Sequence, residues 1–324
     1  MKWTLVPIGL KRIDFMLYLK RHKAVRMKKT VFLLATVSIF SCAENETPGE
    51  IDRDLNGNGL EVTNQKLKDK VTAIENIFYS IPSPRVTIDI IEEAGAVFDV
   101  QLTNDPQNLD KYTSKAERAL NMGVYGADVN YCSAFNKTAD VMMLLACTRS
   151  LGEELGLESI FDQTVIDRLN DNRENADSVQ SIITNTFWEI ESKLEEDDRA
   201  ELAALIVIGG WIEGLNIACG QAKINIDNQK MIDRIAEQAI ALDNVIELAK
   251  FYKIRGLVIN ELLESLEDLK VSFDKIEVVE SAGTNSNSGD SIPTIGMKIE
   301  RRMSVELLEE ITVKVHNIRE DIVN

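Results

Sequence analysis

Asn121, Tyr125, Asp128 and Cys132 recur at intervals of four, three and four, which would line one side of an α-helix with a carboxamide, a phenol, a carboxyl and a thiol. Turned inward, such a stripe offers a ligand hydrogen-bond donors, an ionisable acid and a nucleophile. It also carries a constraint, because a carboxylate taken out of water without a partner is costly. Arg85 and the indole of Trp211 are the expected partners of Asp128. A solvated face or a structural network is the competing reading of the same residues.

Glycines frame this stripe. Gly123 and Gly126 share its helix, while Gly210, Gly214 and Ala218 form a second four-spaced row of small residues. Glycine inside a helix costs about 1 kcal/mol against alanine, so several of them call for a reason. Either neighbouring helices approach closely there, or the missing side chains leave room for a ligand.

Signatures of catalysis are absent from the sequence. It has no G-x-S-x-G, no H-E-x-x-H and no phosphate-cradling glycine loop. His316 is the one histidine after residue 42 and reads as a surface residue. With no C-x-x-C pair either, a zinc site of the usual ligands is not expected, and no cofactor is implied. Cys132, Cys147 and Cys219 read as buried free thiols. If Cys132 and Cys147 shared one helix they would lie roughly 22 Å apart, beyond the reach of a disulfide. The run Glu195 to Asp198 reads as the start of a helix, where carboxylates complement the dipole.

One segment has metal-ligand spacing. Asp52, Asp54 and Asn56, followed by Gly57, match the opening of a calcium loop, in which alternate oxygens converge on a hard cation. The loop departs from that pattern at its twelfth position, where Thr63 stands in place of a bidentate Glu. A polar Asn-Gly turn in a linker accounts for the same residues.

Cys42 supplies a different chemistry. Met27-Lys28-Lys29, the apolar run Val31 to Phe40, and Ser41 before Cys42 give a basic region, an apolar core and a small residue preceding a cysteine. This is the layout of a bacterial lipoprotein precursor, in which the thiol is lipidated and the chain is cut before it. The apolar run is about half the roughly 20 residues a transmembrane helix needs. Residues 1–26 then read as an upstream extension from a mis-assigned start, 27–41 as the signal, 42–63 as a flexible acidic tether and 64–324 as the folded domain.

Charge excludes one class of partner. Residues 1–41 carry a net +8, which leaves the chain from Cys42 onward at −25 against −17 overall. So acidic a body has no field to collect nucleic-acid phosphates, so no nucleic acid is expected as a partner.

The elements that must position these groups are helices. Low aromatic and proline content favours helix, and Leu67, Val71, Ile74 and Phe78 start a helical stripe. Ser83-Pro84 suits the start of a helix reaching about Phe98, Asn104 to Asn108 reads as a loop, and one long helix follows over Ser114 to Leu151. Shorter helices are expected at Glu158–Leu169 and Ala176–Leu194. Leu205 to Glu213 reads as part of a buried central helix. Seams at Ile232–Ala249, Ile259–Phe273 and Leu308–Ile322 alternate threes and fours, the pattern of long antiparallel helices in a bundle. Residues 275–280 and 294–299 would flank a loop as a short β-hairpin. The fold expected is all-α, a multi-helix bundle with at most that hairpin.

Three runs carry a family resemblance: Tyr79 to Pro84, Ala119 to Asp128 and Gly209 to Leu215. They resemble those of uncharacterised all-helical lipoproteins of Bacteroidota, a likeness that covers most of the chain after Cys42. It implies a lipid-anchored envelope protein and no assigned activity; the acidic start of the tether after Cys42 also resembles the export signal that directs lipoproteins of Bacteroidota to the outer membrane. Combined with the residue reading, the leading expectation is non-enzymatic binding of a small ligand or envelope partner. A structural or assembly module without ligand stands second, and an enzyme built on Asp128, Tyr125 and Arg85 third.

Overall fold

The structure is a computed structural model, and it describes Thr72, Ile74 and residues 76–253, 260–283 and 296–324. Cys42, the calcium-type residues Asp52, Asp54 and Asn56, and the tether lie outside the described residues. Helices α1 (Pro84–Glu93), α2 (Lys115–Ala134), α3 (Thr138–Glu154), α4 (Gln163–Asn172) and α5 (Ala176–Glu196) precede the long helices α6 (Ala200–Ile224) and α7 (Gln229–Lys253). Then come α8 (Asn260–Phe273), the strands β1 (Glu277–Gly283) and β2 (Gly296–Arg302), and α9 (Val305–Val323). The fold is all-α, a helical bundle with one antiparallel hairpin. The hairpin pairs Glu277 with Arg302 and Gly283 with Gly296, two residues further along than the sequence placed it.

The ends of the helices are set by local chemistry. Ser83 caps α1 and Pro84 fills its first position, where a missing N–H is harmless. The helix stops at Ala94 rather than near Phe98, because Gly95 turns left-handed at φ 90°. The Ala96 N–H then closes on the Ile91 carbonyl at 3.0 Å. Ser114 and Glu117 form a capping box at the start of α2.

The expected helix over Ser114 to Leu151 is two helices. Asn136 adopts φ 56°, and the Lys137 N–H bonds back to the Cys132 carbonyl at 2.8 Å. Asparagine therefore does the work of a terminating glycine, which is why no glycine marks the break. Asn104 to Asn108 is not a plain loop either, since Pro106–Lys111 forms a 3₁₀ helix capped by Asp105. The acidic run also lies elsewhere than expected: Glu195 and Glu196 end α5, and Asp197 and Asp198 form the turn into α6. The Lys193 ammonium donates to Asp197 at 2.8 Å and offsets charge placed at the unfavourable end of the dipole.

At the centre lies α6, which packs against α1, α2, α5, α7 and α9, most extensively against α2. By length and composition it could cross a membrane, yet 89% of its most apolar 18-residue window is buried inside the protein. Every residue of α2 from Ala119 to Ser133 is buried as well. The seam positions Ile232, Ile235, Leu242, Ile246 and Ala249 of α7, and Leu308, Ile311, Val315, Ile318 and Ile322 of α9, are buried.

Two such helices meet this closely only where side chains are missing. A β-carbon on Gly123 would collide with the Ile206 carbonyl and lie 2.7 Å from the Gly210 nitrogen, and one on Gly209 would collide with the Leu120 carbonyl. The α2–α6 contact is thus backbone against backbone. Gly126 faces the Phe187 ring, Gly210 also faces the Pro84 ring at 2.8 Å and Gly214 faces Thr87 at 3.2 Å. The space beside these glycines is filled by the protein itself.

Candidate functional site

Asn121, Tyr125, Asp128 and Cys132 all face the interior, each at 0% exposure. The groups they meet come from three directions. Asp128 accepts the Asn104 backbone N–H at 2.9 Å through Oδ2, and its carboxyl lies in hydrogen-bonding reach of Glu213 on α6. Glu213, also at 0% exposure, accepts from Arg319 of α9 through both oxygens, at 3.0 Å from Nε and 3.3 Å from Nη2. Arg319 Nη1 donates to Glu320 at 2.9 Å on the rim.

Neutral groups complete the network. Tyr125 donates to the Asp105 carbonyl at 2.9 Å. Tyr112 accepts from the Asn104 carboxamide at 2.9 Å and donates to the Val323 carbonyl at 3.3 Å. Asn121 donates to the Ile322 carbonyl at 2.8 Å and to the Glu117 carbonyl at 3.0 Å. Asn121 thereby fastens the last turn of α9 to the second turn of α2.

Two carboxyls against one guanidinium raise the question of charge. Burial is the largest influence on Asp128 and pushes it well above the ordinary carboxylate range, with the Glu213 charge pushing the same way. Burial also raises Glu213, but Arg319 opposes it directly. Glu213 therefore keeps the negative charge and Asp128 the proton, since a carboxyl pair can share a hydrogen bond only with one proton between them. Asp128 Oδ1 meets no N–H or O–H donor among the described residues, as the oxygen bearing that proton would. Burial works against the Arg319 charge, yet Glu213, with Asp128 and Glu320, holds the guanidinium above its ordinary value. The core then contains one neutral acid and one ion pair.

The sequence-derived partners of Asp128 lie elsewhere. Arg85 pairs with Asp89 one turn along α1, its Nε 2.7 Å from Oδ2. Trp211, 1% exposed, donates its indole N–H to Gln238 of α7 at 3.2 Å. Glu213 and Arg319 take their place. The signal for Glu213 was its solitude, a single acid within the apolar span Leu202 to Ala222. Arg319 had none, because it follows a seam residue among the ordinary charges of a surface helix.

A proton-sharing carboxyl pair is also what acid–base catalysis uses. Here both carboxyls are closed off from solvent, and the Arg319 side chain is only 11% exposed. Cys132, Cys147 and Cys219 are free and buried, and burial pushes the Cys219 thiol up to about 12, far from a reactive thiolate. Among the described residues no three His, Cys, Asp or Glu side chains converge as a metal site. No protein-family model matches the chain, and neither curated proteins nor solved structures offer a similar one. The fold and the site define an all-α bundle whose polar core is a helix-to-helix lock.

Proposed function

We propose that the protein is a lipid-anchored, non-catalytic helical module of the bacterial cell envelope, tethered through Cys42 at the outer membrane and serving in structure or assembly. The single observation that carries the non-catalytic reading is the closure of the Asp128–Glu213–Arg319 network. Its groups bond to other helices of the same chain, and none is presented to a substrate. The glycine rows support the same reading, because their space is taken by backbone and by Pro84, Thr87 and Phe187. An interior ligand pocket beside Gly123, Gly210 and Trp211 therefore ranks behind a structural module.

The location rests on the Met27 to Cys42 sequence and on the resemblance to Bacteroidota lipoproteins. A radiolabelled fatty acid fed to cells expressing the chain tests it. Label on the protein, with the product in the membrane fraction, is expected, and Cys42→Ala should abolish both. A product that begins at Met1 with an unmodified Cys42 would remove the anchor from the proposal.

A further inference from the structure

A cleft of about 320 Å³ opens between the α2–α3 turn and the α4–α5 turn, and none of its lining residues belongs to the polar lock. Ser133, Asn136, Lys137, Thr138, Arg173 and Glu174 line it. The buried side chains of Val141 and Val179 give it an apolar floor. Its size is at the lower end of small-molecule sites.

The polar groups converge on one kind of ligand. The N-terminus of α3 enters the cleft with no side chain capping it, so its first-turn N–H groups and dipole are left to attract an anion. Lys137 and Arg173 flank that helix end. Neither pairs with a carboxylate among the described residues; Lys137 instead lies 4.8 Å from the centre of the Phe98 ring. The Thr138 hydroxyl donates to the Arg173 carbonyl at 3.4 Å and ties the two turns together.

Ser133 supplies an independent sign. It is 7% exposed, and its hydroxyl has no hydrogen-bond partner among the described residues although it borders the cleft. Buried hydroxyls elsewhere in this bundle, those of Thr148 and Thr186, donate back to the carbonyl four residues earlier at 3.0 and 2.9 Å. The Ser133 hydroxyl is open to the cleft rather than sealed in the core, so a ligand oxygen entering the cleft can accept its proton. Glu174 on the same wall and Asp140 in the first turn of α3 limit the local positive charge. They disfavour a polyanion.

We propose that this cleft binds a small organic oxyanion, its charged head on the α3 N-terminus between Lys137, Arg173 and the Ser133 hydroxyl, its body against Val141 and Val179. The two cations sit in a chain of net charge −17, so long-range attraction contributes little. Selectivity comes from short-range donors.

Isothermal titration of the full chain with inorganic phosphate, and separately with acetate, tests the head-group site at an ionic strength fixed by chloride. Saturable binding of one anion per chain is expected for at least one of the two. Lys137→Gln and Arg173→Gln should each weaken it about tenfold, and Ser133→Ala about threefold, as loss of charged and neutral donors predicts. Glu174→Gln should tighten binding, a gain that misfolding cannot mimic. No saturable heat with either anion up to tens of millimolar, or binding indifferent to both cation substitutions, would overturn the proposal.

Discussion

Glu213 and Arg319 stand 106 residues apart in sequence and grip one another through both carboxylate oxygens, at 3.0 and 3.3 Å. The pair joins the central helix to the last one where water has little access. A buried pair of this kind is weak evidence for net stabilisation, but breaking it on one side is costly, because the survivor is left charged and unpaired.

Glu213→Ala should therefore destabilise the fold by about 3–5 kcal/mol. The paired substitution Glu213→Leu with Arg319→Met should recover most of that loss, since no stranded charge remains. Urea midpoints of the single and double variants measure the difference, and a double variant as unstable as Glu213→Ala would refute the assignment.

The proton on Asp128 gives stability a pH dependence. The acid is raised in the folded state, whereas the unfolded chain releases its proton above roughly pH 4. Folding thus takes up a proton, and stability falls as pH rises from about 4 towards the folded-state value, by at most about 1.4 kcal/mol per pH unit for one proton. Asp128→Asn should flatten the part of this decline that Asp128 contributes and raise stability at neutral pH relative to the native chain. Unfolding curves between pH 5 and 8 with identical slopes would place the proton elsewhere.

Gly123→Ala and Gly209→Ala should each cost about 3 kcal/mol or more, since the added methyl group meets backbone that cannot step aside. Helix propensity alone predicts a gain of about 1 kcal/mol, so the sign separates close approach from local preference. Gly95 is the control. A β-carbon there meets nothing within 4 Å, and Gly95→Ala should cost only about 1–2 kcal/mol through its left-handed backbone.

Cys132, Cys147 and Cys219 should resist a thiol reagent at pH 8 in the folded protein and react together once it unfolds. Absorbance of the released thiolate follows both phases. Rapid labelling of any of the three in native buffer would contradict their burial.

Fold class was legible in the sequence, because the three-and-four seams of α7 and α9 name a bundle without help from tertiary structure. Helix ends were less so. Gly95 ends α1 as glycine commonly does, but Asn136 ends α2 by a conformation that asparagine only sometimes adopts. Of the polar core, the stripe on α2 could be read from its spacing, since periodicity reports which residues share a face. Its partners could not, because contact between α2, α6 and α9 depends on helix order and crossing, which one helix's pattern does not encode. Asp128 thus came paired in prospect with Arg85, when the true counter-charge acts through Glu213.

The acid at the centre of α6 has a consequence before folding begins. A chain that crosses a membrane unfolded presents that helix to the insertion machinery as a 25-residue segment with an 18-residue window of high hydropathy, long enough to be retained as a span. A charge at the middle of a would-be span costs about 2.5–3.5 kcal/mol. If the chain is exported as proposed, Glu213 would also act as a pass mark, favouring delivery of the segment to the far side over release into the lipid.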